Sequence, residues 1–204
     1  MERRETLLFI NVISNFMIRL LTVGLAFFAI RRLILGVGDE HYGIFVLTTT
    51  MLGYFSLAGM GLPGALLKVI PECIAAGDYD ALNRTVSSAW VFYLLVGLLM
   101  FLVLAVLSFL SPFLFKVSPE NFAVVQRLFL MAGLWAIVSW PMDIYGQILM
   151  GAQRFYLFNI AQGFQILLCN LLYIAIGIFR FPVEMAVLAL VLSQTLLFVV
   201  TSFM

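Results

Sequence analysis

Charge is scarce in this chain: Asp, Glu, Lys and Arg make up 10% of its 204 residues, and the formal net charge is +1. A balance so near zero, with no basic run anywhere, offers neither a broad nor a local attraction to nucleic acid and excludes that class of partner. Cysteine occurs twice, as Cys73 beside an apolar span and Cys169 within one, too few for a disulfide framework or a metal site, so both read as structural. Histidine occurs once, as His41, in what reads as a solvated loop. No H-E-x-x-H, D-x-x-D or nucleophile elbow is present, so no catalytic residue, metal or cofactor is expected and the chain is not read as an enzyme.

Apolar residues fill the space that charge leaves. The sequence is 64% hydrophobic, contains 20 phenylalanines and has a mean hydropathy of +1.14, all outside the soluble range. An all-α, polytopic membrane protein follows. A hydrocarbon core about 30 Å thick needs about 20 apolar residues per helical crossing, and about six segments supply them. They lie near residues 7–30, 43–67, 89–110, 124–149, 156–179 and 183–204. The opening Met-Glu-Arg-Arg-Glu resembles the start of a signal peptide, but the apolar run behind it is too long and carries Arg19, so the first span is expected to be retained.

The connections are short, the longest being 68–88, and none holds an extramembrane catalytic domain. Within it, residues 68–76 predict a short interfacial helix, Gly77 its C-terminal glycine and Asp80 an N-cap for the next helix. Tyr42, Trp90, Tyr93, Phe155 and Tyr156 fall near span ends, where aromatic rings anchor at the headgroups. The third span is almost wholly aliphatic and is expected to face lipid over much of its circumference. Lys and Arg divide evenly between the two sides of the membrane, so loop charge does not orient the chain.

Three spans carry polar stripes. On the first, Asn11, Ser14, Asn15 and Thr22 share the face of Arg19, a cation too deep to reach either surface readily and costly by about 2.5–3.5 kcal/mol unless it faces protein or water. On the fourth, Ser139, Asp143 and Gln147 recur at steps of four, with Pro141 between them to disturb the helix. The fifth carries Asn159, Gln162, Gln165, Asn170 and Tyr173 on one arc. Converging stripes line an aqueous cavity; separate ones are hydrogen-bond glue between helices, worth about 0.6 kcal/mol per contact. Arg19 and Asp143 lie within about two turns of the same depth, so a structural ion pair between them is the alternative to a wet cation. Asp143, the carboxylate well inside a span, is also the candidate ion-coupling site.

Arg31-Arg32-Leu33, Gly38-Asp39-Glu40-His41-Tyr42-Gly43-Ile44-Phe45, Gly59-Met60-Gly61-Leu62-Pro63 and Lys68-Val69-Ile70-Pro71-Glu72, followed by Gly77-Asp78 and Leu82-Asn83-Arg84, resemble the start of the bacterial polysaccharide flippases. These are O-antigen and exopolysaccharide transporters of the multidrug, oligosaccharidyl-lipid and polysaccharide exporter superfamily. The resemblance covers about the first 90 residues. A simpler account of Gly36, Gly38 and Gly43 is a loop that needs positive φ angles.

The resemblance implies two six-helix lobes around a cavity that opens alternately to each side. Residues 1–204 would form a single lobe, a fragment or N-terminal half of a longer transporter, or a lobe that pairs with a copy of itself. It further implies a bacterial cytoplasmic membrane, a cytoplasmic N-terminus and a lipid-linked oligosaccharide as substrate. Membrane lipids would be the remaining partner. Arg19 would then compensate the anionic headgroup, Arg31 and Arg32 would receive it or only anchor the span, and Asn11, Asn15, Asn159, Gln162 and Asn170 would contact sugar hydroxyls. Two other readings stand beside it: an ion-coupled exporter of organic cations from the same superfamily, and an intramembrane glycosyl or acyl transferase.

Overall fold

Helix accounts for nearly all of the backbone in the computed structural model, which describes residues 20, 22–56, 61–115 and 117–203. Helix α1 spans residues 22–37. It is followed by α2 (Asp39–Ser56), α3 (Gly61–Ala76), α4 (Tyr79–Leu114), a 3-10 turn (Pro119–Asn121), α5 (Phe122–Gly151), α6 (Phe155–Phe179) and α7 (Glu184–Phe203). Among the described residues there is no strand. Asn11, Ser14, Asn15 and Arg19, and with them most of the expected first span, lie outside the described residues.

Four of the described helices are long and apolar enough to cross a bilayer: α4, α5 with its preceding turn, α6 and α7. The expected count of about six is therefore not reached among the described residues. The segment expected as a second span is divided between α2 and α3. Residues 57–60 between them lie outside the described residues, and Pro63 falls in the first turn of α3, where a missing N–H costs no intrahelical hydrogen bond. Residues 68–76 are correspondingly the second half of a longer helix, which buries Leu66 and Ile70 against α4 and α5.

Two glycines make the sharp chain reversals. Gly38 separates α1 from α2 at φ +89°, and Gly77 ends α3 at φ +69°, in the left-handed region that only glycine enters freely. The cap of α4 is Asp78, not Asp80: its carboxylate accepts from the Ala81 N–H at 2.8 Å. Helix α4 then runs for 36 residues, about 54 Å at 1.5 Å per residue. Ala89, Tyr93, Gly97, Met100, Leu104, Ser108 and Ser111 form its buried stripe at helical spacing. Leu95, Leu99, Leu102, Val106 and Phe109 face outward, as expected of a lipid-facing helix.

Helix α5 is the hub, packing most extensively on α4 and also touching α2, α3, α6 and α7. It lies antiparallel to α4, fixed by a Tyr93–Trp140 ring contact at 6.1 Å and by the Ser108 hydroxyl donating to the Gln126 carbonyl at 3.3 Å. Tyr93 is thus buried between helices instead of anchoring at headgroups; Trp90 is exposed eleven residues into α4, and Phe155 and Tyr156 are exposed at the start of α6. Pro141 does not end α5, which continues to Gly151. Helix α1 meets α6 backbone to backbone: a Cβ on Gly36 would lie 2.5 Å from the Gly177 Cα. Lipid supplies little hydrophobic drive between helices, so such close van der Waals approach through small residues is what holds them.

Candidate functional site

The two polar stripes that fall within the described residues meet. Asp143 and Gln147, one turn apart on α5, face Gln162 and Gln165 on α6 across a cavity of about 270 Å³, and α7 closes it with Gln194 and Thr201. That is room for several waters. Asp143 lies eight residues from the Gly151 end of α5, about 12 Å by helical rise. Gly146 brings α6 close here, since a Cβ on it would meet the Phe158 ring at 2.7 Å.

The wall is rich in hydrogen-bonding groups that the protein does not use up. The Gln147 Oε1 is buried without a hydrogen-bond partner, which costs about 1–3 kcal/mol if nothing enters the cavity to donate to it. Gln194 accepts the Trp135 indole N–H, which fixes its carbonyl toward α5 and leaves its NH₂ as the free end. Thr201 donates to the Phe198 carbonyl at 3.1 Å and so presents its oxygen as an acceptor. No cation lines this cavity among the described residues. One carboxylate among four carboxamides can take a monovalent cation, a cationic group or a hydroxyl-rich ligand.

The expected site residues divide. Gln162 and Asp143 come together in the cavity, joined by Gln147 and Gln165 of the same stripes. Asn170 does not join them: it is buried, and its amide donates to the Ile166 carbonyl at 2.9 Å within its own helix. Asn159 is half-buried outside the cavity wall. Arg31 and Arg32 are exposed near the opposite end of the bundle, Arg32 with its guanidinium 5.2 Å from the centre of the Phe28 ring, so neither reaches Asp143. Asn11, Asn15 and Arg19 belong to the undescribed residues, and an Arg19–Asp143 pair is not placed. Gln194 and Thr201 are cavity residues that the stripes on the first, fourth and fifth spans did not include. Their spacing of seven, with Phe198 between, was the available signal.

At the Glu184 end of the bundle, a second polar group ties helices together away from the cavity among α5, α6 and α7. Glu40 accepts from the Ser118 N–H at 3.1 Å, and hydrogen bonding from the Asn121 side chain, then from Ser118, holds its carboxyl below the usual value of 4.5. His41 places Nδ1 at 3.0 Å from the Val37 carbonyl and Nε2 at 3.0 Å from Asn121 Oδ1. It is a bridge between the α1–α2 turn and the start of α5, not a free loop residue.

The chain is 24% identical over 159 residues to the uncharacterized membrane protein EpsK of Bacillus subtilis (strain 168); the match takes in 78% of this chain and 32% of that protein. The chain therefore spans about a third of the relative's length. No protein family matches the sequence, and no solved structure matches it significantly. Four described helices long and apolar enough to cross a bilayer, and a membrane-protein relative, indicate a helical membrane protein.

Proposed function

We propose that the protein is a transporter, not an enzyme, and that it carries lipid-linked oligosaccharides across a bacterial cytoplasmic membrane for polysaccharide export. The observation that carries this reading is the amide-lined cavity among α5, α6 and α7, inside helices long enough to span a bilayer. Several weak hydrogen bonds from Gln147, Gln162, Gln165 and Gln194 suit a polyhydroxylated ligand that must also leave. Asp143 serves as the ion-coupling group, and Arg19 on the first span compensates the anionic headgroup. The resemblance of the first 90 residues to polysaccharide flippases supports the same substrate class.

A second reading has its own support. The carboxylate of Asp143 stands in the cavity with no described cation beside it, which suits an ion-coupled exporter of organic cations. Deleting the gene in its native cell distinguishes the two. Loss of surface polysaccharide, with lipid-linked oligosaccharide accumulating on the inner leaflet and rescue by the wild-type gene, supports the flippase. Normal polysaccharide with new sensitivity to ethidium supports the exporter and overturns the first reading.

A further inference from the structure

Beyond the transport cavity, the turn between α6 and α7 carries a charged crevice directly above an apolar groove. The crevice, about 450 Å³, is walled by Arg127, Arg180, Glu184, His41 and Pro182. The groove, about 230 Å³, runs between α6 and α7 along Leu172, Ile176, Met185, Leu188 and Leu192. Phe181 lines both. From Phe179 back to Leu172, and from Met185 on to Leu192, each helix advances seven residues, so the groove extends about 10 Å from the turn into the span.

Of the two arginines in the crevice, one has no carboxylate partner among the described residues. Arg127 is bound to Glu184 at 2.9 Å. The His41 ring is occupied by Val37 and Asn121 and acts as wall. Among the described residues no carboxylate pairs with Arg180. Arg180 also occupies the left-handed position that ends α6, φ +54°, where glycine normally stands and a side chain is strained. The sequence keeps a long cation where the backbone would favour none, and strain of this kind collects at functional positions.

We propose that this turn and groove hold one anionic phospholipid of the surrounding bilayer, its phosphodiester on Arg180 beside the Arg127–Glu184 pair and one acyl chain between α6 and α7. The negative charge of a phosphodiester complements the Arg180 guanidinium, which no described carboxylate neutralises. A head at the helix ends and a tail along the spans follow the geometry of a lipid standing in its own leaflet.

The test uses the whole purified protein, stripped of lipid in detergent and given phosphatidylglycerol or phosphatidylcholine, with retained lipid counted by native mass spectrometry. Wild type is expected to retain phosphatidylglycerol about five-fold better, the worth of one Arg near a membrane surface. Arg180→Gly relieves the left-handed strain, so it is expected to unfold at a higher temperature while its phosphatidylglycerol retention falls to the phosphatidylcholine level. Arg84→Gln, which removes an exposed cation elsewhere, is expected to change nothing. Equal retention of the two lipids, full retention by Arg180→Gly, or an equal loss in Arg84→Gln overturns the proposal. So does displacement of the lipid by an equal concentration of glycerol 3-phosphate, because the groove would then contribute nothing.

Discussion

Trp135 on α5 donates its indole N–H to the side-chain carbonyl of Gln194 on α7, and its ring lies 6.3 Å from that of Phe198 one turn further along α7. The hydrogen bond crosses between helices, while most hydroxyls of the bundle bond within their own, as Thr48 does to Ile44 and Ser111 to Ser108. It fixes the third wall of the cavity. Trp135→Phe keeps an aromatic side chain and removes the donor, so loss of the hydrogen bond alone should lower stability by about 0.5–1.5 kcal/mol, and transport should fall further, because Gln194 is no longer held. Thermal unfolding in detergent beside a transport assay separates the two effects.

Asp143 gives the sharpest division of roles. Asp143→Asn keeps the shape and hydrogen-bonding capacity of the wall but removes the charge, and should uncouple transport from an ion gradient while the protein inserts at wild-type levels. Gradient-driven transport that is unchanged in this variant would remove Asp143 from the mechanism.

Arg19 is tested by a pair of substitutions. Arg19→Ala should abolish polymer export with the protein still inserted and stable, and Arg19→Lys should retain part of the activity. Loss of the protein itself in the alanine variant would mean that the guanidinium is a structural ion-pair partner.

The contact between α1 and α6 has no room for a methyl group. Gly36→Ala should destabilise the protein by about 1–3 kcal/mol, because its Cβ would press on the Gly177 backbone. Gly24→Ala, where a Cβ meets nothing within 4 Å, should be neutral or mildly stabilising. Thermal unfolding of the two variants makes the comparison.

Glu40 makes the Glu184 end of the bundle acid-sensitive. Its carboxyl titrates below its unfolded value when folded, so its contribution is fully present above pH 4.5 and is lost as pH falls through the lower folded-state value. Wild type should therefore lose stability below pH 4.5 more steeply than Glu40→Gln, as read from unfolding midpoints across that range.

Much of this architecture was legible in the residues. Gly77 announced the end of α3, the step of four from Asp143 to Gln147 placed both on the cavity face, and the outward face of α4 followed from its aliphatic run. The misses share physical causes. Counting apolar residues ran 43–67 as one span, and hydropathy does not register that Pro63 falls in the first turn of α3, where proline favours a helix start. A wide arc on α6 grouped Asn170 with Gln162, but a short amide can turn back on its own helix and satisfy itself at Ile166, whereas the longer glutamines reach the cavity. His41, isolated in sequence, found partners in Val37 and Asn121, which only the fold brings together.

The most direct measurement is thiol labelling at Gln165 in intact cells, in a variant whose Cys73 and Cys169 are replaced by alanine. A cavity that admits water predicts that the thiol of Gln165→Cys reacts quickly with a charged, water-soluble reagent, while that of Leu171→Cys, outward-facing on the same helix, does not. If position 165 is as unreactive as position 171, the space among α5, α6 and α7 is dry and carries no polar substrate.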